Sequence, residues 1–132
     1  MTDIPSAQKV VGEWPSQIVF SGFEIGQALL FPAHSIEHDF SWVQDHPVVD
    51  AYRNYMRMPY DRPTWDLTAA LYAVRPDANY FPLSPNGNVR VDEKGNTLFT
   101  PSAEGKHRYM ILDEAGKART LEALILLASQ PR

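Results

Sequence analysis

The apolar positions of this chain show two textures, divided near Pro76. Before it they recur at spacings of three and four, the period of helices packed by one face. After it they come in short runs broken by turn residues, the mark of a strand meander. In the first texture, Ala7, Val10, Val11 and Trp14 predict a helix with Asp3 as cap and Pro15 as stop. The run 17–21 is apolar at consecutive positions, as in a strand buried on both faces of a parallel sheet. A second helical segment is expected from Phe23 to about Leu30. Residues 31–45 have weak periodicity and read as an ordered loop with one helical turn. His46-Pro47 then opens a helix to about Met58, with Val48, Val49, Tyr52, Tyr55 and Met56 on or near one face.

The stretch Arg62-Pro63-Thr64-Trp65-Asp66-Leu67-Thr68-Ala69-Ala70-Leu71-Tyr72-Ala73-Val74 has the clearest organisation. Thr64 is a good N-cap, and Leu67, Ala70, Leu71 and Val74 form the expected buried stripe. Trp65 and Asp66 are thereby held at the mouth of an anchored helix. Local sequence alone lets Asp66 be a dipole-complementing residue and Trp65 a core filler.

The second texture predicts strands at 79–83, 88–92, 97–100 and 108–112. Pro85-Asn86-Gly87, Glu93-Lys94-Gly95-Asn96 and Glu104-Gly105-Lys106 lie between them as turns. A last helix from about Asp113 aligns Ala118, Leu121, Leu124, Ile125 and Ala128 for packing. Together these elements predict an α/β fold with a strand-rich, antiparallel segment and a closing C-terminal helix. One strand, 17–21, has no partner of like character before residue 107. A doubly covered strand needs neighbours, so the chain reads as the edge of a larger sheet, a fragment or one half of a pairing.

Length and composition narrow the classes. The 132 residues carry 44% hydrophobic content and suit one domain spanning 1–132. The net charge of -4 and the lack of any Lys- or Arg-rich run argue against a nucleic-acid partner. With no cysteine, disulfides, thiolate metal sites and cysteine nucleophiles are excluded. The N-terminus lacks signal-peptide character and no apolar run is long enough for a membrane span, so a cytoplasmic location is expected.

Among chemical constellations, His34 and His38 have the four-residue spacing that lets two imidazoles on a helix share a metal. A solvated loop is the alternative. His46, His107 and the serines lack any elbow motif that would tie them into a triad. Gly22-Phe23-Glu24-Ile25-Gly26 lacks the third glycine and the lysine of phosphate loops. Glu24 and Asp66 are a candidate carboxylate pair for glycoside chemistry.

Three segments in order resemble the C-terminal portion of the inosine/uridine-preferring nucleoside hydrolase family. They are Asp3-Ile4-Pro5-Ser6-Ala7-Gln8-Lys9-Val10-Val11, Ile18-Val19-Phe20-Ser21-Gly22-Phe23-Glu24-Ile25-Gly26 and Thr64-Trp65-Asp66-Leu67-Thr68-Ala69-Ala70-Leu71-Tyr72-Ala73-Val74. The resemblance spans residues 3 to 31 and 46 to 128. It implies a layered α/β fold and hydrolysis of the N-glycosidic bond of ribonucleosides. It also implies a calcium ion that holds the ribose hydroxyls and the attacking water. Asp66 matches the family's C-terminal calcium-ligating aspartate. Trp65 stands where many members have a histidine proposed to protonate the leaving base, and the resemblance makes it a base-stacking residue instead. The helix bearing Tyr52 and Tyr55 resembles the mobile helix that closes over the base, which places Tyr55 among the substrate-binding residues.

The family's N-terminal Asp-x-Asp-x-Gly-x-Asp-Asp cluster, source of the other calcium ligands and the catalytic base, is missing from the chain. So is its Asn-containing substrate motif. The chain is therefore expected to be inactive alone, with a complementing N-terminal segment or a homo-oligomer as partner. The alternative is a non-catalytic nucleoside-binding or assembly module.

Overall fold

The computed structural model describes residues 3–131. In chain order it comprises α1 (Ile4–Glu13), β1 (Ile18–Phe20), α2 (Phe23–Ala28), β2 (Leu30–Phe31), α3 (Ala33–His38), α4 (Pro47–Tyr55), β3 (Arg62–Pro63) and α5 (Trp65–Val74). A 3-10 turn at Pro76–Ala78, strands β4 (Gly87–Val91), β5 (Thr97–Pro101) and β6 (His107–Tyr109), and α6 (Glu114–Ser129) follow. Helix and strand are mixed, and so is the larger sheet, which is compatible with the α/β class. The described residues fall into two compact units, one of residues 3–20 and 82–111 and the other of residues 21–81 and 112–131.

The first unit is built on a four-stranded sheet in the order β1-β6-β4-β5. The strand that lacked a partner in the sequence finds one here. β1 pairs in parallel with β6, Ile18 opposite His107 and Phe20 opposite Tyr109. β4 and β5 form a hairpin from Gly87↔Pro101 to Val91↔Thr97. β1 is half-buried along its length and lies at the end of the sheet, so its expected double coverage is corrected. Its apolar run satisfies an edge strand of three residues. The strand expected at 79–83 does not form. Asn79 ends the 3-10 turn in a left-handed conformation (φ 56°), and only Leu83 makes a bridge, to Met110.

Polar side chains in this unit hold the backbone in place. The Asp3 carboxylate caps α1 by accepting from the Ser6 N–H (3.1 Å) and hydroxyl (2.7 Å). α1 does not bury the expected face, for Val10 and Trp14 are more than half exposed. Ile4 and Val11 are half-buried instead, and the amide of Gln8 donates to the Val91 carbonyl at 3.1 Å. The hairpin turn is closed by Asp92, which accepts from Lys94 N–H and Asn96 N–H at 2.8 Å each. Gly95 adopts φ +84° there, a left-handed geometry that glycine takes without strain. These hydrogen bonds hold the Asp3 and Asp92 carboxyls below the ordinary carboxylate value.

The second unit is helical around Phe31, Ile36, Phe40 and Val49, with Tyr52, Met58, Ile125 and Ala128 packed against them. α3 forms where a loop was expected. Its first turn is capped from 28 residues away, the Ala33 N–H donating to the Asp61 carboxylate at 2.8 Å. α4 begins as expected, with the His46 Nδ1 accepting from Val48 N–H at 3.2 Å. It buries Val49, while Val48, Tyr55 and Met56 stay exposed.

The buried face of α5 is also turned from the expected one. Thr68 is fully buried and Leu71 nearly so, whereas Leu67 and Val74 are exposed. Thr68 Oγ1 shares a 2.8 Å hydrogen bond with the Ser21 hydroxyl and donates to the Trp65 carbonyl at 2.8 Å. A satisfied hydroxyl is thus buried where an apolar stripe was expected. α6 starts at its Asp113 cap and packs by Leu124, with Leu121, Ile125 and Ala128 half-buried; Ala118 is exposed.

Candidate functional site

The site lies within the second unit. A short antiparallel ribbon pairs Phe31 with Arg62 and Leu30 with Pro63, then hands the chain directly to α5. Thr64, the residue before the helix, is buried and tied on both sides. Its N–H donates to the Gly26 carbonyl at 3.1 Å and its hydroxyl to the Leu29 carbonyl at 2.8 Å. Thr64 stands at the expected N-cap position, but its hydroxyl anchors the helix to the end of α2 and makes no capping bond. Because Thr64 cannot move, Trp65 and Asp66 are presented at a fixed place.

They open onto a pocket of about 310 Å³ whose walls include Phe31, Val48, Tyr52, Arg62, Trp65 and Asp66. Two of the three residues that the sequence singled out are thus brought together. The indole of Trp65 is stacked on Phe23, with centroids 5.3 Å apart and an interplanar angle of 28°. Its N–H donates to the Phe23 carbonyl at 3.0 Å. Gly26 packs so closely beneath it that a Cβ there would strike the indole ring and the Trp65 backbone nitrogen. One indole face is therefore committed to Phe23, and the ring is held rather than mobile. Asp66 is exposed in the first turn of α5.

Tyr55 is placed differently from Tyr52. Tyr55 is 65% exposed and lies under Arg62, whose guanidinium carbon is 4.0 Å from the ring centroid. Tyr52 lines the pocket, stacks on Tyr60 with centroids 5.5 Å apart, and accepts the Tyr60 hydroxyl at its carbonyl (2.9 Å). The Arg62 guanidinium, as hydrogen-bonding neighbour and as a charge, pulls the Tyr55 phenol below its ordinary value. Burial pushes the Tyr52 phenol up, and the adjacent Tyr60 adds to this. Local sequence gives Arg62 no evident role. Its position depends on the Phe31 pairing, which no local pattern announces.

Glu24 does not join this pocket. Its carboxyl folds back over Gly22, so a Cβ at Gly22 would meet the carboxylate oxygens. Of the two carboxylates, only Asp66 lies on the wall of this pocket. His107 is buried in the first unit, where Nδ1 accepts from the Val89 N–H at 2.8 Å and the ring meets Phe20 edge-on. That is a structural use of histidine.

Calcium takes roughly six to eight oxygen ligands. Asp66 is the only acidic side chain on the pocket wall, and the Thr64 hydroxyl is spent on Leu29. Among the described residues no three His, Cys, Asp or Glu side chains are grouped for a metal. The donor set present does not by itself fit calcium. No helix of the described residues is long and apolar enough to cross a membrane. Compared with family models, curated proteins and solved structures, the chain matches none.

Proposed function

We propose that the pocket of the second unit binds a ribonucleoside and represents the C-terminal share of a nucleoside hydrolase-type site. The observation that carries this reading is the convergence of Trp65 and Asp66 with Tyr52 and Arg62 on one pocket. Three sequence segments resembling that family, in the family's order and one of them containing Trp65 and Asp66, also support it. Aromatic walls suit a flat base, a carboxylate accepts from sugar hydroxyls, and a guanidinium donates to ring or sugar oxygens.

The same residues supply binding more readily than bond cleavage. Hydrolysis of the glycosidic bond needs a base to activate water and commonly an acid to protonate the departing base. Trp65 is no acid, and its N–H is already donated to Phe23. Tyr52, with its phenol pushed up, is a poor proton donor at neutral pH. Hydrolysis is therefore assigned only to an assembly in which a complementing N-terminal segment brings the missing aspartates. In that assembly Asp66 would be one of the residues holding the calcium.

Calorimetric titration of the chain with inosine tests the binding reading. Saturable binding that weakens at least tenfold in Trp65→Ala and Asp66→Asn is the expected result. No binding, or binding indifferent to both substitutions, overturns it. Adding a segment that carries the aspartate cluster is expected to give inosine hydrolysis that is lost in Asp66→Asn.

A further inference from the structure

We propose that His34 and His38 form a two-imidazole chelating site for a borderline divalent metal of the zinc, nickel and copper class. The two residues lie one turn apart on α3, and their rings are already adjacent, with centroids 4.3 Å apart and tilted by 44°. Both are exposed, so water and ions reach them freely.

Their direction is set by the rest of the helix. Ala33, Ser35 and Ile36 are buried, Ile36 in the cluster with Phe31, Phe40 and Val49, while Asp61 fixes the first turn. With the inner face held, the outer face carries His34 and His38 at the spacing at which a helix brings side chains together. Most of the ordering that chelation demands is thus completed by folding.

Metal–nitrogen bonds of about 2.0–2.1 Å at a tetrahedral centre set the two donor nitrogens roughly 3.3 Å apart. Rings with centroids 4.3 Å apart reach that separation by side-chain rotation alone. Imidazole selects zinc, nickel and copper over calcium and magnesium, which prefer oxygen. No third protein ligand completes a group among the described residues. The remaining positions are left to water or to a donor from a bound molecule, so the site is one of exchangeable binding. It is independent of the nucleoside pocket, whose walls include neither histidine.

The test is titration of the untagged chain with zinc and with nickel, followed by the histidine ring resonances in NMR spectra. Calcium serves as the negative control. One metal per chain is expected, with both histidines shifting together and calcium without effect. Affinity should fall at least tenfold in His34→Gln and equally in His38→Gln, and the folded backbone spectrum should be retained. Failure of zinc and nickel to bind, a response confined to one histidine, or binding unchanged in both variants would overturn the proposal.

Discussion

The two units differ in which of their chemically able side chains are left without a structural duty. In the sheet unit, the acidic and imidazole groups that catch the eye serve the backbone: Asp3 caps α1, Asp92 closes a hairpin turn, and His107 accepts from Val89. In the helical unit His46, Asp61 and Asp113 do the same at helix starts, but Asp66, His34 and His38 face solvent, and the buried hydroxyls of Thr64 and Thr68 tie the scaffold. A chemically able residue is informative only after its structural duty has been settled. By residue type alone His107 and Asp66 are both chemically able, and the hydrogen bond from Val89 gives His107 its structural duty.

The largest effect expected from breaking this contrast is at His107. His107→Ala leaves the Val89 N–H without its acceptor and hollows the contact with Phe20, at a cost of roughly 2–4 kcal/mol. Amide hydrogen exchange across β4 and β6 should report the loss, and unchanged protection there would remove His107 from the structural class. Next is Gly26→Ala, whose added methyl strikes Trp65. Overpacking of this kind costs about 1–3 kcal/mol, and inosine affinity should fall with it. Retained affinity with normal stability would show that the indole need not be held.

Acid titration gives a smaller, signed effect. Asp3 and Asp92 have carboxyls depressed by hydrogen bonds in the fold. Each contributes stability that is present above the ordinary carboxylate value and lost as pH falls through the depressed one. Asp92→Asn should flatten the acid limb of the unfolding profile. The smallest effect is spectroscopic. Ultraviolet titration should show Tyr55 ionising before an ordinary tyrosine and Tyr52 after it. Tyr52 accordingly favours the fold below the ordinary phenol range, an advantage lost as pH rises through its raised value.

Periodicity made the helices legible, including α4, α5 and α6, together with the hairpin strands and the place of Trp65 and Asp66. It misjudged which faces are buried. Gln8 stays exposed while its amide docks α1 on the Val91 carbonyl, and Thr68 is buried with Ser21 as its partner. α3 was illegible because its cap is Asp61, far along the chain. The partner of β1 was illegible for a similar reason, since β6 is half-buried and short. Arg62 joins the pocket through its pairing with Phe31, which spacing does not encode.

Indole N–H resonances offer the most direct test of the nucleoside pocket. Trp65 lies on its wall, while Trp14 belongs to the sheet unit and donates to the Ser16 hydroxyl at 3.0 Å. Titration with inosine is expected to shift the Trp65 indole signal saturably and leave that of Trp14 in place. An unmoved Trp65 signal at saturating inosine, or equal shifts at both tryptophans, would contradict a nucleoside site at this pocket.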